Sequence, residues 1–579
     1  MKRRPPPAPK SKAGLLQALQ QAVQLHQQGR LDQAEHHYKG ILAAQPNHFG
    51  AKHLLGVLRY QQGRNQEALD HISAALKLNP NSAAALSNFG LVLAKLGRPA
   101  DALASYDKAL WLKPDYAEAL NNRGNALRDL NRPAEALASY DKALALKPHY
   151  VDALCNRGDA LVDLKRPADA LASCDEALAI KPDYVDALNS RGNALRDLNR
   201  PADALASYDE ALALKPDYVE ALCNRGNALV DLKRPADALA SYDKALALKP
   251  DYAEAYWSQS LCLLLMGHFE QGWRQYEWRW KRGEWIARSY PQPLWLGEED
   301  IAGKRLFIHS EQGLGDTIQF CRYAKQMEAR GSKVVMSVQQ PLCGLLKQIS
   351  ATIRIVDQNE TPTGFDYHCP LLSLPLALGT TLETIPAEPQ YLRTDEGLRT
   401  AWSARLPPKT KPRIGVVWSG STVHKNDHNR SIELEQFLPI LSTDADWICL
   451  QKDIREKDVA ALRQDGRIAF FGDDLRDFSD TAALLDLMDL VVTIDTSVAH
   501  LAGAMGKPVW ILLPHNPDWR WLLDRHDSPW YPSARLFRQQ QIGNWAQVID
   551  QVKSELCSAA GYDNAIAIKP NYAGAIPTI

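Results

Sequence analysis

Small and apolar residues recur along the first part of the chain at one fixed interval. Alanines fall at Ala34, Ala68, Ala102, Ala136, Ala170, Ala204 and Ala238, and prolines at Pro46, Pro80, Pro114, Pro148, Pro182, Pro216 and Pro250, each 34 residues after the last. Glycines keep the same register at Gly56, Gly90, Gly124, Gly158, Gly192 and Gly226. Near residue 256 the pattern changes, and of 15 tryptophans only Trp111 precedes that point. Short apolar runs then take over: RLFIHS (Arg305–Ser310), KVVMSV, IRIV, RIGVVW, WICLQ, RIAFF, LVVTID and PVWILL, separated by longer amphipathic stretches. Strands alternating with helical segments predict parallel sheets built from strand–helix–strand units.

Seven copies in strict register resemble the tetratricopeptide repeat. The resemblance implies one pair of antiparallel helices per copy. Gly and Ala stand where the two helices approach closely, and Pro ends the second helix. One pair cannot bury its apolar face alone, so the copies are expected to stack into a right-handed superhelix with a concave groove. An eighth copy degenerates around FEQGWRQYEWRWKRG, where Glu284 replaces the expected Pro. It reads as a Trp-rich capping helix. The sixth position of successive repeats holds Asn88, Asn122, Asn156 and Asn224, with Ser190 interrupting the row. An amide carries both donor and acceptor, so such a row suits the backbone of an extended peptide. It resembles the asparagine ladder in the repeats of protein O-GlcNAc transferase. The plainer alternative is that near-identical copies simply share the residue.

The second half is too long for one compact doubly wound sheet. Two Rossmann-like domains fit it better, with the boundary in the polar, Pro-rich stretch Tyr391–Pro412. Ligands in such folds bind beyond the carboxyl ends of the strands. The first loop of that kind is Glu311-Gln312-Gly313-Leu314-Gly315-Asp316-Thr317, in which Gly313 and Gly315 permit a tight turn. Asp316 there is either a functional carboxylate or a helix cap. The second, LVVTIDTSVAHLAGAMGKPVWILL, places Asp495, Thr496 and Ser497 at a helix start, a natural seat for a diphosphate, with His500 one turn on.

Together EQGLGDTIQFCRY and DTSVAHLAGAMGKPV resemble the ADP-heptose:lipopolysaccharide heptosyltransferases and their relatives with fused tetratricopeptide repeats. The resemblance covers roughly Arg305–Leu556 and implies the two-Rossmann GT-B architecture, with the nucleotide-sugar held mainly by the C-terminal domain. It also implies inverting, metal-independent glycosyl transfer. Asp316 takes the place of the family's base. Its Asp-Thr-Gly becomes Asp495-Thr496-Ser497, its helix histidine is matched by His500, and its cation before the following helix by Arg430. Ser419, Gly420 and Ser421 follow the first strand of the C-terminal domain and are expected to meet donor phosphates. Gln451 and Lys452 end the strand WICLQ and are candidates for contact with the nucleotide. Lys507 is a further candidate cation for the leaving diphosphate.

The expected order is therefore a flexible basic, Pro-rich tail (1–12), seven repeats (13–252) and a degenerate capping repeat with linker (253–300). An N-terminal Rossmann-like domain (301–400), a C-terminal nucleotide-sugar-binding one (401–556) and a repeat-like tail (557–579) follow. In that tail Tyr562, Ala565 and Pro570 keep the repeat register. Lys+Arg 67 against Asp+Glu 68 gives a net charge of −1, which argues against a dedicated nucleic-acid binder. No transmembrane run is present. Nine cysteines without a CxxC read as reduced thiols of a cytoplasmic protein, and no cofactor or metal is expected. The leading functional expectation is a glycosyltransferase whose repeats present a protein or peptide acceptor, by analogy at Ser or Thr hydroxyls. The alternatives are a heptosyltransferase-like enzyme acting on a glycan or lipid-linked acceptor, and a non-catalytic repeat scaffold.

Overall fold

The computed structural model of the chain describes residues 12–283, 290–424 and 426–558. The basic start, Glu284 and the repeat-like tail with Tyr562, Ala565 and Pro570 lie outside the described residues. The chain divides into two compact units, Met1–Arg225 and Gly226–Ile579.

The first unit is a solenoid of antiparallel helix pairs, from Lys12–Gln27 and Leu31–Ala44 to Val185–Asp197 and Pro201–Leu214. Each recurring residue has a mechanical reason. Pro99, Pro133, Pro167 and Pro201 open second helices, where a missing N–H costs nothing. Gly90 packs on Tyr106 so tightly that a Cβ would lie 2.6 Å from the ring. The recurrent Ala102, Tyr106 and Ala109 face inward with almost no exposure. The turn between the helices needs a positive φ. Gly29, Gly63 and Gly97 supply it in the first copies, whereas Asn131, Lys165 and Asn199 adopt it in later ones. Polar ties then stitch helices both within a pair and between neighbouring pairs. Tyr140 Oη donates to Asn125 Oδ1 at 2.7 Å, and Arg123 reaches Asp107 Oδ1 and Ser139 Oγ at 2.7 Å each.

The second unit begins within the seventh repeat and includes the eighth helix pair, Ala253–Leu265 and Phe269–Tyr276, followed by a 3-10 turn Glu277–Lys281. Two parallel sheets follow. The first contains β1 (Arg305–His309), β2 (Lys333–Val338), β3 (Arg354–Asp357) and β4 (Tyr367–Pro370) in the order β3-β2-β1-β4. The second contains β5 (Arg413–Val417), β6 (Asp446–Cys449), β7 (Ile468–Phe470), β8 (Leu490–Ile494), β9 (Val509–Leu513) and β10 (Ala534–Arg538) in the order β10-β9-β8-β5-β6-β7. The fold is thus a tetratricopeptide solenoid followed by an α/β pair of GT-B type.

Two strands carry no apolar run: YHCP of β4 and ARLFR of β10 mix polar residues with few aliphatic ones, and both close a sheet edge. The domain boundary also falls earlier than residue 401. The helix Glu396–Arg405 belongs to the C-terminal domain, because Trp402 Nε1 donates to Asp480 Oδ1 at 3.0 Å and Arg399 pairs with Asp486. In the second sheet the chain turns to opposite sides from β5 and β8, which are neighbours paired from Ile414↔Leu490 to Val417↔Thr493. Their carboxyl ends therefore flank a topological switch point, the place where such sheets hold ligands. None of the nine cysteines forms a disulfide. No described helix is long and apolar enough to cross a membrane.

Candidate functional site

Three loops and two helix starts converge beyond β1, β5, β8 and β9. After β1 the chain enters the helix Leu314–Phe320 at Gly313, whose N–H donates to Asp316 Oδ2 at 2.9 Å, the reach-back half of a capping box. Asp316 is therefore a helix cap, and it is also ion-paired with Arg520 from the loop after β9. Gly315 presses this helix onto the helix Ser497–Ala504, since a Cβ there would sit 2.8 Å from His500 Cδ2. Arg520 engages each nitrogen of its guanidinium. Beyond Asp316 it pairs with Asp518 at 2.8 Å and gives its Nε–H to Gln319 Oε1 at 2.9 Å. Burial raises the Asp316 carboxyl above its ordinary range, and Arg520 draws it back. Against the same cost of burial, Arg520 holds Asp518 below the usual carboxylate range.

The loop after β5 is built around buried polar groups. Gln451 Oε1 accepts the N–H groups of Trp418 (2.7 Å) and Ser419 (3.1 Å), while its Nε2 donates to Ser419 Oγ (3.0 Å). Gly420 N–H donates to Ser431 Oγ at 3.0 Å, and a Cβ on Gly420 would lie 2.9 Å from the Arg430 guanidinium. Arg430 in turn donates to the carbonyl of Asp495 at 2.9 Å. Its Nε is buried without a hydrogen-bond partner among the described residues; the Asp427 carboxylate stands 3.8 Å away. Arg455 is arranged in the same way, donating to Gly420 O, Ser431 Oγ and Asp427, again with a buried, unpartnered Nε. Two guanidiniums, each with one unpartnered N–H, thus stand beside a glycine turn. Next to it, burial and the Asp518 charge raise the Asp495 carboxyl, partly offset by Arg430.

Comparison with known proteins fits this geometry. Overlapping segments at 19–83, 53–117, 87–151, 121–185, 189–253 and 223–267 match the tetratricopeptide repeat family. Residues 476–542, which carry β8, the helix with His500 and the Arg520 loop, match glycosyltransferase family 9 (heptosyltransferase). The chain joins tetratricopeptide repeats to a family 9-like glycosyltransferase domain. It is 27% identical over 325 residues to Protein FlbA of Caulobacter vibrioides, a match covering 52% of this chain and 54% of FlbA. The chain thus spans about half the length of that curated relative. Among solved structures, a tetratricopeptide repeat protein from Parabacteroides merdae is 19% identical, covering 43% of this chain and 98% of its own (TM-score 0.38). A thermophilic tetratricopeptide repeat protein of Thermus thermophilus is 26% identical, covering 32% and 100% (TM-score 0.30).

Within this transferase-like domain the sequence-derived candidates separate into groups. Asp316, Gly313, Gly315, Ser419, Gly420, Arg430, Asp495, Thr496 and Ser497 come together at the converging loops. Gln451 lies there too, but as a brace of the β5 loop with both ends of its amide engaged. Lys452 is exposed and turns to the carbonyl of Arg476 at 3.3 Å. Lys507 does not reach the site: it precedes β9, at the amino end of the strands, and binds Asp486 and the carbonyl of Met488. Proximity in sequence to the helix Ser497–Ala504 misleads here, because that helix carries the chain to the opposite end of the sheet. His500 is buried, stacks on Trp521 with ring centroids 5.3 Å apart, and its Nδ1 lies 2.9 Å from Tyr531 Oη. Burial pushes its basicity down to about 3, so the ring is neutral and holds the two helices in place.

The groove asparagines are also engaged. Asn156 Nδ2 donates to Asn121 Oδ1 and Asn224 Nδ2 to Asn189 Oδ1, each at 3.0 Å. Asn88 Nδ2 lies 2.9 Å from His53 Nε2, and Asn122 accepts from Asn121 at 3.4 Å. Sequence reasoning missed Arg520, Asp518, Arg455 and His424. A signal for two of them existed: PVWILL reads as a strand, so the loop HNPDWRW after it lies at a carboxyl end. His424 faces Arg430, Asp518, Asp316 and Asp427, and burial with the Arg430 charge lowers its basicity. Among the described residues no cluster of three or more His, Cys, Asp or Glu side chains is placed to hold a metal ion.

Proposed function

We propose that the chain is an inverting, metal-independent glycosyltransferase that takes a nucleotide-sugar and transfers its sugar to a hydroxyl of a polypeptide engaged by the repeats. One observation carries the reading. A carboxylate at a glycine-rich helix start (Asp316) and a guanidinium with a spare buried N–H (Arg430) both face His424, from opposite domains. In this scheme the acceptor oxygen attacks the anomeric carbon while the bond from that carbon to the diphosphate oxygen breaks. The proton of the attacking hydroxyl passes to Asp316, whose raised affinity for protons suits a base. The negative charge left on the diphosphate falls to Arg430, Arg455 and the N–H groups at Thr496–Ser497. Arg520 keeps the Asp316 carboxylate oriented, and His500 positions rather than reacts. Cysteines outside any disulfide support a cytoplasmic setting. The groove asparagines support the polypeptide acceptor less than their row in the sequence did, because their NH2 groups at Asn156 and Asn224 already bridge repeats.

Calorimetry against a panel of nucleotide-sugars tests the proposal. The parent protein is expected to show saturable binding to one donor, weakened on the order of 10- to 100-fold in Arg430→Ala through loss of a charge-assisted bond. Asp316→Asn is expected to keep that binding while transfer falls on the order of 10²- to 10⁴-fold. A folded parent protein that binds no donor in the panel defeats the transferase reading and leaves the repeat scaffold.

A further inference from the structure

The repeats of the first unit are near copies, so a place where the copies differ in a coordinated way is informative. At the later junctions between neighbouring repeats an arginine plugs the outer seam. Arg123 reaches Asp107 and Ser139, Arg191 reaches Asp175 and Ser207, and Arg157 and Arg225 pair with Asp141 and Asp209. The equivalent positions at the seam between the helices Asn65–Leu78 and Pro99–Leu112 hold Phe89, Ser73 and Ser105. Both charged partners of the plug are replaced together. Ser105 gives its hydroxyl to the carbonyl of Asp101 at 3.0 Å, as Ser139 and Ser207 do to Glu135 and Asp203, but Phe89 stands where their arginine partner would be. A cavity of about 350 Å³ opens in its place, with Leu76, Pro80, Leu86 and Phe89 as its apolar lining.

The surroundings of this cavity specify what fits it. Lys77 and Lys108 both line it and both are exposed, and no carboxylate lines it. Neither lysine forms a salt bridge among the described residues, whereas the nearby Arg98 and Arg123 are paired with Asp101 and Asp107. On the same helix face, at the spacing Ala104, Lys108, Trp111, stands a tryptophan that is 78% exposed, and Leu78 on the adjacent helix is 40% exposed. Exposed aromatic surface beside an apolar cavity is the composition of a binding anchor. Two unpaired cations at its edge select for negative charge.

We propose that this seam is a docking site for a partner polypeptide that inserts one bulky apolar side chain into the cavity, flanked by acidic residues that meet Lys77 and Lys108. It lies on the outer seam of the repeats and is independent of the asparagine row and of the transferase reading. The apolar side chain would sit against Phe89 and Leu86, Trp111 would close over its neighbour, and the flanking carboxylates would fix the register.

The test uses the full chain and three labelled octapeptides read by fluorescence anisotropy: a central Phe flanked by glutamates, the same Phe flanked by lysines, and a central Ala flanked by glutamates. The first is expected to bind at least about tenfold more tightly than either of the others. The double variant Ser73→Asp/Phe89→Arg rebuilds the plug used at the later junctions, so it is expected to keep the parent's helical circular dichroism while losing at least about tenfold in affinity. Lys77→Glu/Lys108→Glu is expected to reverse the preference between the first two peptides. Unchanged affinity in the rebuilt-plug variant, indifference to flanking charge, or no binding by any of the three peptides overturns the proposal. So does concentration-dependent self-association that Trp111→Ala abolishes, since the occupant would then be a second copy of the chain.

Discussion

His500 shows how a residue with catalytic chemistry can be used for its shape. It is boxed between Gly315, Trp521 and Tyr531, faces the charges of Arg520, Asp518, Arg322 and Arg430, and takes up a proton only near pH 3. An unfolded histidine does so near pH 6.5. Below that value the unfolded chain therefore binds a proton that the folded chain refuses, so this residue's contribution to stability is complete above pH 6.5. It is lost as the pH falls towards 3, with a steepest slope of about 1.4 kcal/mol per pH unit. His500→Asn is expected to flatten the pH dependence of the urea midpoint between pH 6.5 and 4 relative to the parent. Parallel pH profiles for the two proteins count against a neutral buried imidazole. The comparison with the parent matters because burial also lowers the basicity of His53, His71 and His368.

At the scale of elements, the asparagine row illustrates why a pattern in sequence does not disclose its purpose. Its periodicity is legible because every repeat is local in sequence, and so is the 34-residue register of Gly, Ala and Pro. What the row does depends on residues one repeat away, since Asn156 and Asn224 give their NH2 groups to Asn121 and Asn189. Replacing Asn88, Asn122, Asn156 and Asn224 together by alanine is then expected to cost about 1 kcal/mol for each inter-repeat bond removed. A thermal melt of the variant should show the loss; an unchanged melting temperature means that the amides do not stitch the solenoid and are spare for a ligand. The transferase-like part follows the same logic. Asp316, Arg430 and Asp495 were legible because each sits in a loop after an apolar strand. Arg520 also follows an apolar strand, but its pairing with Asp316, 204 residues away, is announced by no pattern in DWRW. Strands β4 and β10 escaped for a related reason: at a sheet edge, a strand such as YHCP does not need the aliphatic content that marks a central one.

On the scale of the molecule, the division between Arg225 and Gly226 assigns the last repeats to the same body as the two sheets. Contacts inside that body explain why the eighth copy departs from the consensus. Trp273 packs edge-on against Trp519, with centroids 5.2 Å apart, next to the residue that holds Asp316. Tyr276 Oη accepts from Gln312 Nε2 at 2.8 Å, in the loop that leads to Asp316. Arg279 is wholly buried and binds Glu277, Glu311, Ser373 and the carbonyl of Tyr276. The Glu311 carboxyl, pushed up to about 7 by burial and held back by Arg279, also receives the N–H groups of Leu371 and Leu372. The residues that spoil the eighth repeat as a repeat are thus the ones that seat the loop before β1's helix. Arg279→Leu removes a buried cation and strands two carboxylates, which is expected to destabilise this unit by about 3–5 kcal/mol. Amide exchange in the peptide spanning 311–320 should accelerate in the variant more than exchange in β8 or β9. If those amides stay as protected as in the parent, the capping repeat only covers the end of the solenoid. If they open while the amides around Arg430 and Asp495 stay protected, the repeats govern the Asp316 side of the converging loops separately from the Arg430 side.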